Sequence, residues 1–360
     1  MGNHYKILIA SFSVFLVILI LFVIYTCRKK SVHKKSRDVE ASPYSGEKFR
    51  TEELINFPDG ENLSIHDILD ANGEVVGKSG YGTVYKASLH GNNHSLMLLR
   101  FLRPVCTRSL KDIIPEVQFL GNIRHPNLIP LRAFYSGPRG EKLLVHPFFP
   151  RGTVSQFLRS KDARSLRRVK FYSVSVGIAK GLEYLHTGLA KPLIHGNLKS
   201  KNILLDANYQ PCLSDFGIHL LLNPTANQVM LESLDAEGYK APELIKMKEA
   251  NTESDIYSLG IILLELLTGK EPIVVDPTSG QHLHLPSLMR NAIISQRVSE
   301  IFDPELLSRE DQNPVTEEGL LLYFQLAMSC CAPSSSFRPD IQQIRRQLEE
   351  IGSKGFPSFA

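Results

Sequence analysis

Twenty consecutive residues, Ile7 to Thr26, carry no charge, and only Ser11, Ser13, Tyr25 and Thr26 among them are polar. At about 1.5 Å per residue such a run makes a helix of about 30 Å, the thickness of membrane hydrocarbon. The pattern then changes. Residues 28–62 show little apolar period, and charge, Ser, Pro and Gly mark most of them as a linker. Leu63, Ile65, Ile68 and Leu69 open a folded region. Val75-Val76, Thr83 to Tyr85 and Leu96 to Leu102 suit strands, with turn residues at 77–82 and 91–93. After Lys170 the period is helical, as in Val174, Ile178, Gly181, Leu182 and Leu185. Ile256 to Leu267 predicts a long apolar helix closed by Gly269. A strand-rich start and a helix-rich remainder predict an α+β fold in two lobes, preceded by a single transmembrane helix.

Composition sharpens this picture mainly through charge. The 360 residues are 43% hydrophobic with a formal net charge of +4, a globular balance that excludes disordered, collagenous and disulfide-stapled classes. Residues 1–37 hold Lys6, Arg28, Lys29, Lys30, Lys34, Lys35 and Arg37 and no acidic residue. Of 41 basic residues, 34 then remain against 37 acidic ones, so residues 38–360 are slightly acidic. That argues against a nucleic-acid-binding surface. The basic cluster behind the apolar run orients residues 1–6 outside and the remainder in the cytoplasm. The run is too long for a signal-peptide core, and no small-residue cleavage site precedes Arg28, so a single-pass plasma-membrane anchor is expected. The basic collar would add attraction to anionic lipid of about 1 kcal/mol per residue. Cys27 lies where palmitoylation occurs, though an unmodified thiol fits equally. The other four cysteines show no metal-ligand spacing and are expected to be reduced, small apolar residues. No internal repeat is found. The expected organisation is 1–6 outside, 7–27 in the membrane, 28–62 a basic linker, 63–350 a folded domain and 351–360 a tail.

Gly77-Lys78-Ser79-Gly80-Tyr81-Gly82-Thr83-Val84-Tyr85 sits between two strand-like stretches. Glycines there let backbone amides approach phosphates, but a tight hairpin turn explains them as well. Further motifs follow in order: Pro115-Glu116-Val117, Ile123 to Leu128, and His195-Gly196-Asn197-Leu198-Lys199-Ser200-Lys201-Asn202. Then come Ser214-Asp215-Phe216-Gly217, Gly238 to Glu243, Asp255 to Gly260 and Phe337-Arg338-Pro339. The series resembles the protein kinase fold over roughly residues 63–350. Gly82 to Ala87, Ile123 to Leu131 and Leu263 to Lys270 are similar to plant receptor-like kinases, especially the leucine-rich-repeat receptor kinase group.

The resemblance implies ATP and magnesium as cofactors. It places Gly77, Gly80, Gly82, Val84, Phe149 and Leu204 on the nucleotide, Asn202 and Asp215 on the metal, and Lys199 near the transferred phosphate. It also implies structural roles: a Glu243–Arg338 ion pair, Asp255 supporting the catalytic-loop backbone, and His195 and Phe216 in an apolar stack between the lobes.

Several departures stand out. Asn197 occupies the catalytic-base position; losing general-base help lowers a rate by about 10²–10⁴. Gly196 removes the Arg that meets a phosphorylated activation segment in many members, so phosphorylation of Thr225 or Ser233 is not expected as an on-switch of that type. Arg100 occupies the phosphate-binding Lys position in the preferred register, with Glu116 available to pair with it; a register one residue earlier would put Leu99 there. Arg is not a neutral replacement for Lys. Leu98 stands where a small residue packs on adenine, and His146 at the gatekeeper position is expected to be a packed histidine. The expectation is a membrane-anchored, catalytically impaired receptor-like kinase that signals by binding partner kinases or receptors. A slow Ser/Thr kinase and an ATP sensor without phosphotransfer are the alternatives.

Overall fold

Alternation along Leu96–Leu102 decides the face of the first sheet. Met97 and Leu99 are buried with Ala87, Ala133 and Val145 in an outer apolar cluster, so Leu98 and Arg100 point the other way. This computed structural model describes residues 52–89, 95–247, 249–275, 280–307 and 316–355. The expected membrane segment, most of the linker and the last five residues lie outside them. Among the described residues no helix is long and apolar enough to cross a membrane.

The chain begins its sheet earlier than Leu63. Strand β1 (Glu53–Asn56) lies in the stretch expected to be linker. Helix α1 (Ile65–Leu69) follows, opened by a Ser64–Asp67 capping box, and Ile68 packs into the outer cluster. Strands β2 (Asn72–Lys78), β3 (Gly82–Ser88) and β4 (Leu96–Leu102) run antiparallel, then α2 (Leu110–Gly121), β5 (Ala133–Ser136) and β6 (Lys142–Pro147) complete the smaller lobe. The sheet order is β1-β5-β6-β4-β3-β2, with every pairing antiparallel.

The larger lobe is helical. After α3 (Val154–Arg159) comes α4 (Arg164–Thr187), then the small ribbon of β7 (Ile203–Leu205) and β8 (Pro211–Leu213). Helix α5 (Pro224–Ala236) starts with Asn223 as its cap and Pro224 in the first turn, a favourable start because that turn's amides have no helical acceptor. Helix α6 (Thr252–Thr268) is buried on every side from Ser254 to Thr268, which explains its continuous apolar sequence. Asn251 and Ser254 cap its start, and Gly269 ends it at φ 64°, a conformation glycine adopts without strain. Helices α7 (Leu285–Ile294), α8 (Pro304–Leu307), α9 (Glu317–Cys330) and α10 (Ile341–Gly355) close the lobe, with α9 packed on α6 and α10 on α4.

Candidate nucleotide cleft

A cleft of about 710 Å³ opens between the sheet and the helical lobe, within the range of ordinary ligand pockets. Gly77, Val84, Leu98, Arg100, Phe149, Lys199, Asn202, Leu204 and Asp215 all line it, so most of the residues singled out from the sequence come together here. Gly80, Gly82, Glu116 and Asn197 do not line it. Gly82 sits in the β3–β4 pairing, where a Cβ would strike the Phe101 carbonyl. Gly80 leaves room for Val229 of α5, whose Cγ1 would lie 2.6 Å from an added Cβ. That glycine's small size therefore serves contact with the activation segment.

The register question resolves on geometry. Val84 faces Arg100 across the β3–β4 ladder, and Leu98 faces His146 across β4–β6. Arg100 thus projects into the cleft and Leu99 lies in the outer core. The expected Arg100–Glu116 pair is corrected. Arg100 Nη2 lies 2.6 Å from Asp215 Oδ1, and both side chains are largely buried. Glu116 is half-buried on α2 and makes no ion pair among the described residues. The reason is proximity of charge: Asp215 has a left-handed backbone, φ 64°, and its carboxylate already holds the guanidinium.

Tyr81, at the tip of the β2–β3 turn, completes the closure. It is 5% exposed, accepts a hydrogen bond from Asn197 Nδ2 at 3.0 Å, and its hydroxyl donates to Asp215 Oδ2 at 3.4 Å. Burial, then the Asp215 charge, push its phenol well above the ordinary value, so it remains a neutral donor. Asn197 Oδ1 is buried without a partner. The backbone oxygen of Asn197 accepts from Asn202 Nδ2 at 2.8 Å. Lys199 and Lys201 both bind Glu237, at 2.6 and 2.8 Å. Burial alone would raise the Glu237 carboxyl, but the hydrogen bonds from these two lysines outweigh it and hold it below its ordinary value.

The activation segment straps the lobes together. Asn223 N donates to Cys106 O at 2.9 Å, Asn223 Nδ2 to Val105 O at 2.8 Å, and Arg108 reaches the carbonyls of Leu220 and Leu221. Arg103 anchors the loop tip through Gly80 O. The sequence reasoning missed Tyr81, Glu237 and Lys86, whose ammonium lies 5.0 Å over the Phe148 ring. An aromatic residue inside a glycine-rich turn was a signal for Tyr81. Glu237 gave none, being 38 positions from Lys199.

His146 is buried, with Nδ1 3.0 Å from Pro130 O, and burial lowers its pKa to about 4. It is a packed neutral histidine. The bracing below the cleft is complete. Asp255 accepts from the backbone of His195 at 2.7 Å and Gly196 at 2.9 Å, and lies 3.0 Å from His186 Nε2. Arg338 grips Glu243 with two hydrogen bonds of 2.6 and 2.7 Å. Magnesium does not fit this arrangement. The obstacle lies at Asp215, which is already neutralised by Arg100 and bonded to Tyr81; Asn202 donates its amide nitrogen to the Asn197 carbonyl, and that nitrogen is not the atom a metal would take.

A sheet lobe, a helical lobe, a glycine-rich hairpin over the cleft and this bracing define a protein kinase fold. The model of the protein tyrosine and serine/threonine kinase family matches residues 71–348. The chain is 41% identical over 299 residues to the kinase-like protein TMKL1 of Arabidopsis thaliana, covering 82% of this chain and 44% of that one. It is 40% identical over 319 residues to the leucine-rich repeat receptor-like kinase IMK3 of the same plant, covering 88% and 39%. Against the solved kinase domain of maize SIRK1 bound to AMP-PNP, the TM-score is 0.72 at 27% identity, covering 83% of this chain and 100% of that one. Against the pseudokinase domain of BIR2, an immune regulator, it is 0.68 at 26% identity, covering 85% and 92%. The chain belongs to the plant receptor-like kinase family of protein kinases. It spans less than half the length of these two Arabidopsis relatives.

Proposed function

We propose that this chain is a catalytically impaired receptor-like kinase, anchored at the plasma membrane through residues 7–27, that signals by binding partner receptor kinases or signalling proteins. The observation that carries the reading is the Arg100–Asp215 ion pair at 2.6 Å. The carboxylate that the family uses for metal is engaged by the chain itself. Three further features support it: Asn197 in place of a carboxylate base, Tyr81 bonded to both Asn197 and Asp215, and Glu237 holding Lys199. The intact bracing of Asp255 and Glu243–Arg338 favours a retained, folded scaffold. BIR2 and an Arabidopsis receptor kinase named inactive are among its relatives, which accords with a binding role. Phosphotransfer from ATP in magnesium to a generic protein substrate tests this. The expected result is no transfer above that of an Asp215→Ala control. Transfer above that control would overturn the impaired reading and favour an active Ser/Thr kinase instead. Protease protection of sealed vesicles tests the anchor, with the kinase-fold domain expected on the cytoplasmic face.

A further inference from the structure

Arg100 uses only part of its guanidinium on Asp215. The ion pair engages Nη2, and the remaining N–H donors meet no protein acceptor among the described residues, although the side chain is only 13% exposed. A planar cation with unclaimed donors at the wall of a cleft suits a phosphate oxygen pair. The fixed charge of a guanidinium also offsets that of the Asp215 carboxylate it pairs with. A divalent cation on Oδ1 would have to approach a positive group already 2.6 Å from that oxygen, and like charges repel strongly where water is scarce.

The rest of the cleft carries its own charge balance. Lys78, Lys86, Arg100, Lys199 and Lys201 face Glu74, Asp215 and Glu237, an excess of two positive charges without any metal. Beside this polar end lies an apolar wall that includes Val76, Val84, Ile129 and Leu204, a surface for a planar base. Its volume of about 710 Å³ accommodates both parts of such a ligand.

We propose that the cleft binds a nucleoside phosphate without a divalent cation, Arg100 meeting the phosphate while holding Asp215 in the metal's stead. The proposal rests on the impaired-kinase reading and specifies the ligand of the same cleft. Binding of a phosphate by the chain's own guanidinium needs no covalent bond to break or form.

Calorimetric titration of the full chain in detergent tests this with three ligands: ATP in EDTA, ATP in magnesium, and adenosine in EDTA. ATP should bind as tightly in EDTA as in magnesium, and adenosine more weakly. Arg100→Gln should weaken ATP in EDTA by about tenfold or more, the range for losing a charged hydrogen bond, and leave adenosine unchanged. Asp215→Asn should tighten ATP in EDTA, because it frees the guanidinium; a metal-dependent site would lose ATP in that variant. The Asp215→Asn comparison stands even where Arg100→Gln fails to fold. Binding that requires magnesium, no binding of ATP in EDTA, or Arg100→Gln binding like the parent chain each overturns the proposal. Phosphotransfer is read separately: activity would overturn the impaired-kinase reading, and the EDTA titration alone decides the cation question.

Discussion

The bracing beneath the catalytic loop and the cleft above it are both built from paired charge, with opposite consequences. Below, Asp255 accepts from the His195 and Gly196 amides, and Arg338 binds Glu243 and the Glu253 carbonyl, so each strong charge has several partners. Above, the charges that the family directs at nucleotide and metal are turned on each other: Arg100 on Asp215, and Lys199 and Lys201 on Glu237. The first arrangement holds backbone in place and tolerates no substitution cheaply. The second holds side chains in place of a ligand, and its removal should alter binding more than folding.

The largest expected effect is in the bracing. Asp255→Ala leaves the His195 and Gly196 amides buried without an acceptor and should destabilise by about 3–5 kcal/mol, measured by urea unfolding. A loss below about 1 kcal/mol would remove the distinction drawn here. Arg338→Met comes next, at about 3 kcal/mol, since it strands Glu243 and the Glu253 and Ala332 carbonyls.

Acid titration separates the bracing from an interior carboxyl that belongs to neither set. Glu265 is fully buried, accepting from Tyr239 at 2.6 Å, and burial raises its pKa to about 7. Its ordinary value in the unfolded chain is 4.5. A raised pKa means stability that is fully present below pH 4.5 and lost as pH rises to about 7. Between pH 5 and 7.5 Glu265 by itself should favour the acid side by about 2–3 kcal/mol, read in thermal melts as the difference between the parent's pH dependence and that of Glu265→Gln, because His146, buried neutral with its pKa lowered to about 4, works in the opposite direction. Asp255, Glu243 and Glu237 act in the other direction. In each, burial raises the carboxyl but hydrogen bonds outweigh it, so the net shift is downward. Their stabilisation is present above the ordinary carboxylate range and is lost as pH falls through the lowered values. A Glu265→Gln variant that keeps the parent's pH dependence between 5 and 7.5 would contradict the assignment for Glu265.

The smallest effect belongs to the cleft. Tyr81→Phe removes one hydroxyl and its bonds to Asn197 and Asp215, a change of about 1 kcal/mol in unfolding. A loss above about 3 kcal/mol would place Tyr81 with the bracing rather than with the cleft.

Much of this was legible along the chain. The alternation of Leu96 to Leu102 announced a strand, and the continuous apolar run of Ile256 to Leu267 announced a buried helix, because period follows directly from backbone geometry. The Glu243–Arg338 pair was anticipated from the motif order and lies as expected. Glu53–Asn56 was missed because a four-residue edge strand carries too short a pattern to separate from a linker. The Arg100–Glu116 pair was anticipated and is absent, because which of two carboxylates meets a guanidinium depends on how α2 and the turn at Asp215 are placed.

The sequence alone determined the fold class, the family and the identity of the altered positions, since each rests on local period or on motif order. It could also show that Asn197 and Arg100 differ from the family's carboxylate and lysine. Only the tertiary structure decided what those substitutions do together. Tyr81 meets Asp215 across 134 positions, and Glu237 meets Lys199 across 38. The first contact spans the two lobes and the second joins distant segments of the helical one, and charge pairing at 2.6 Å depends on ångström placement that no periodicity encodes.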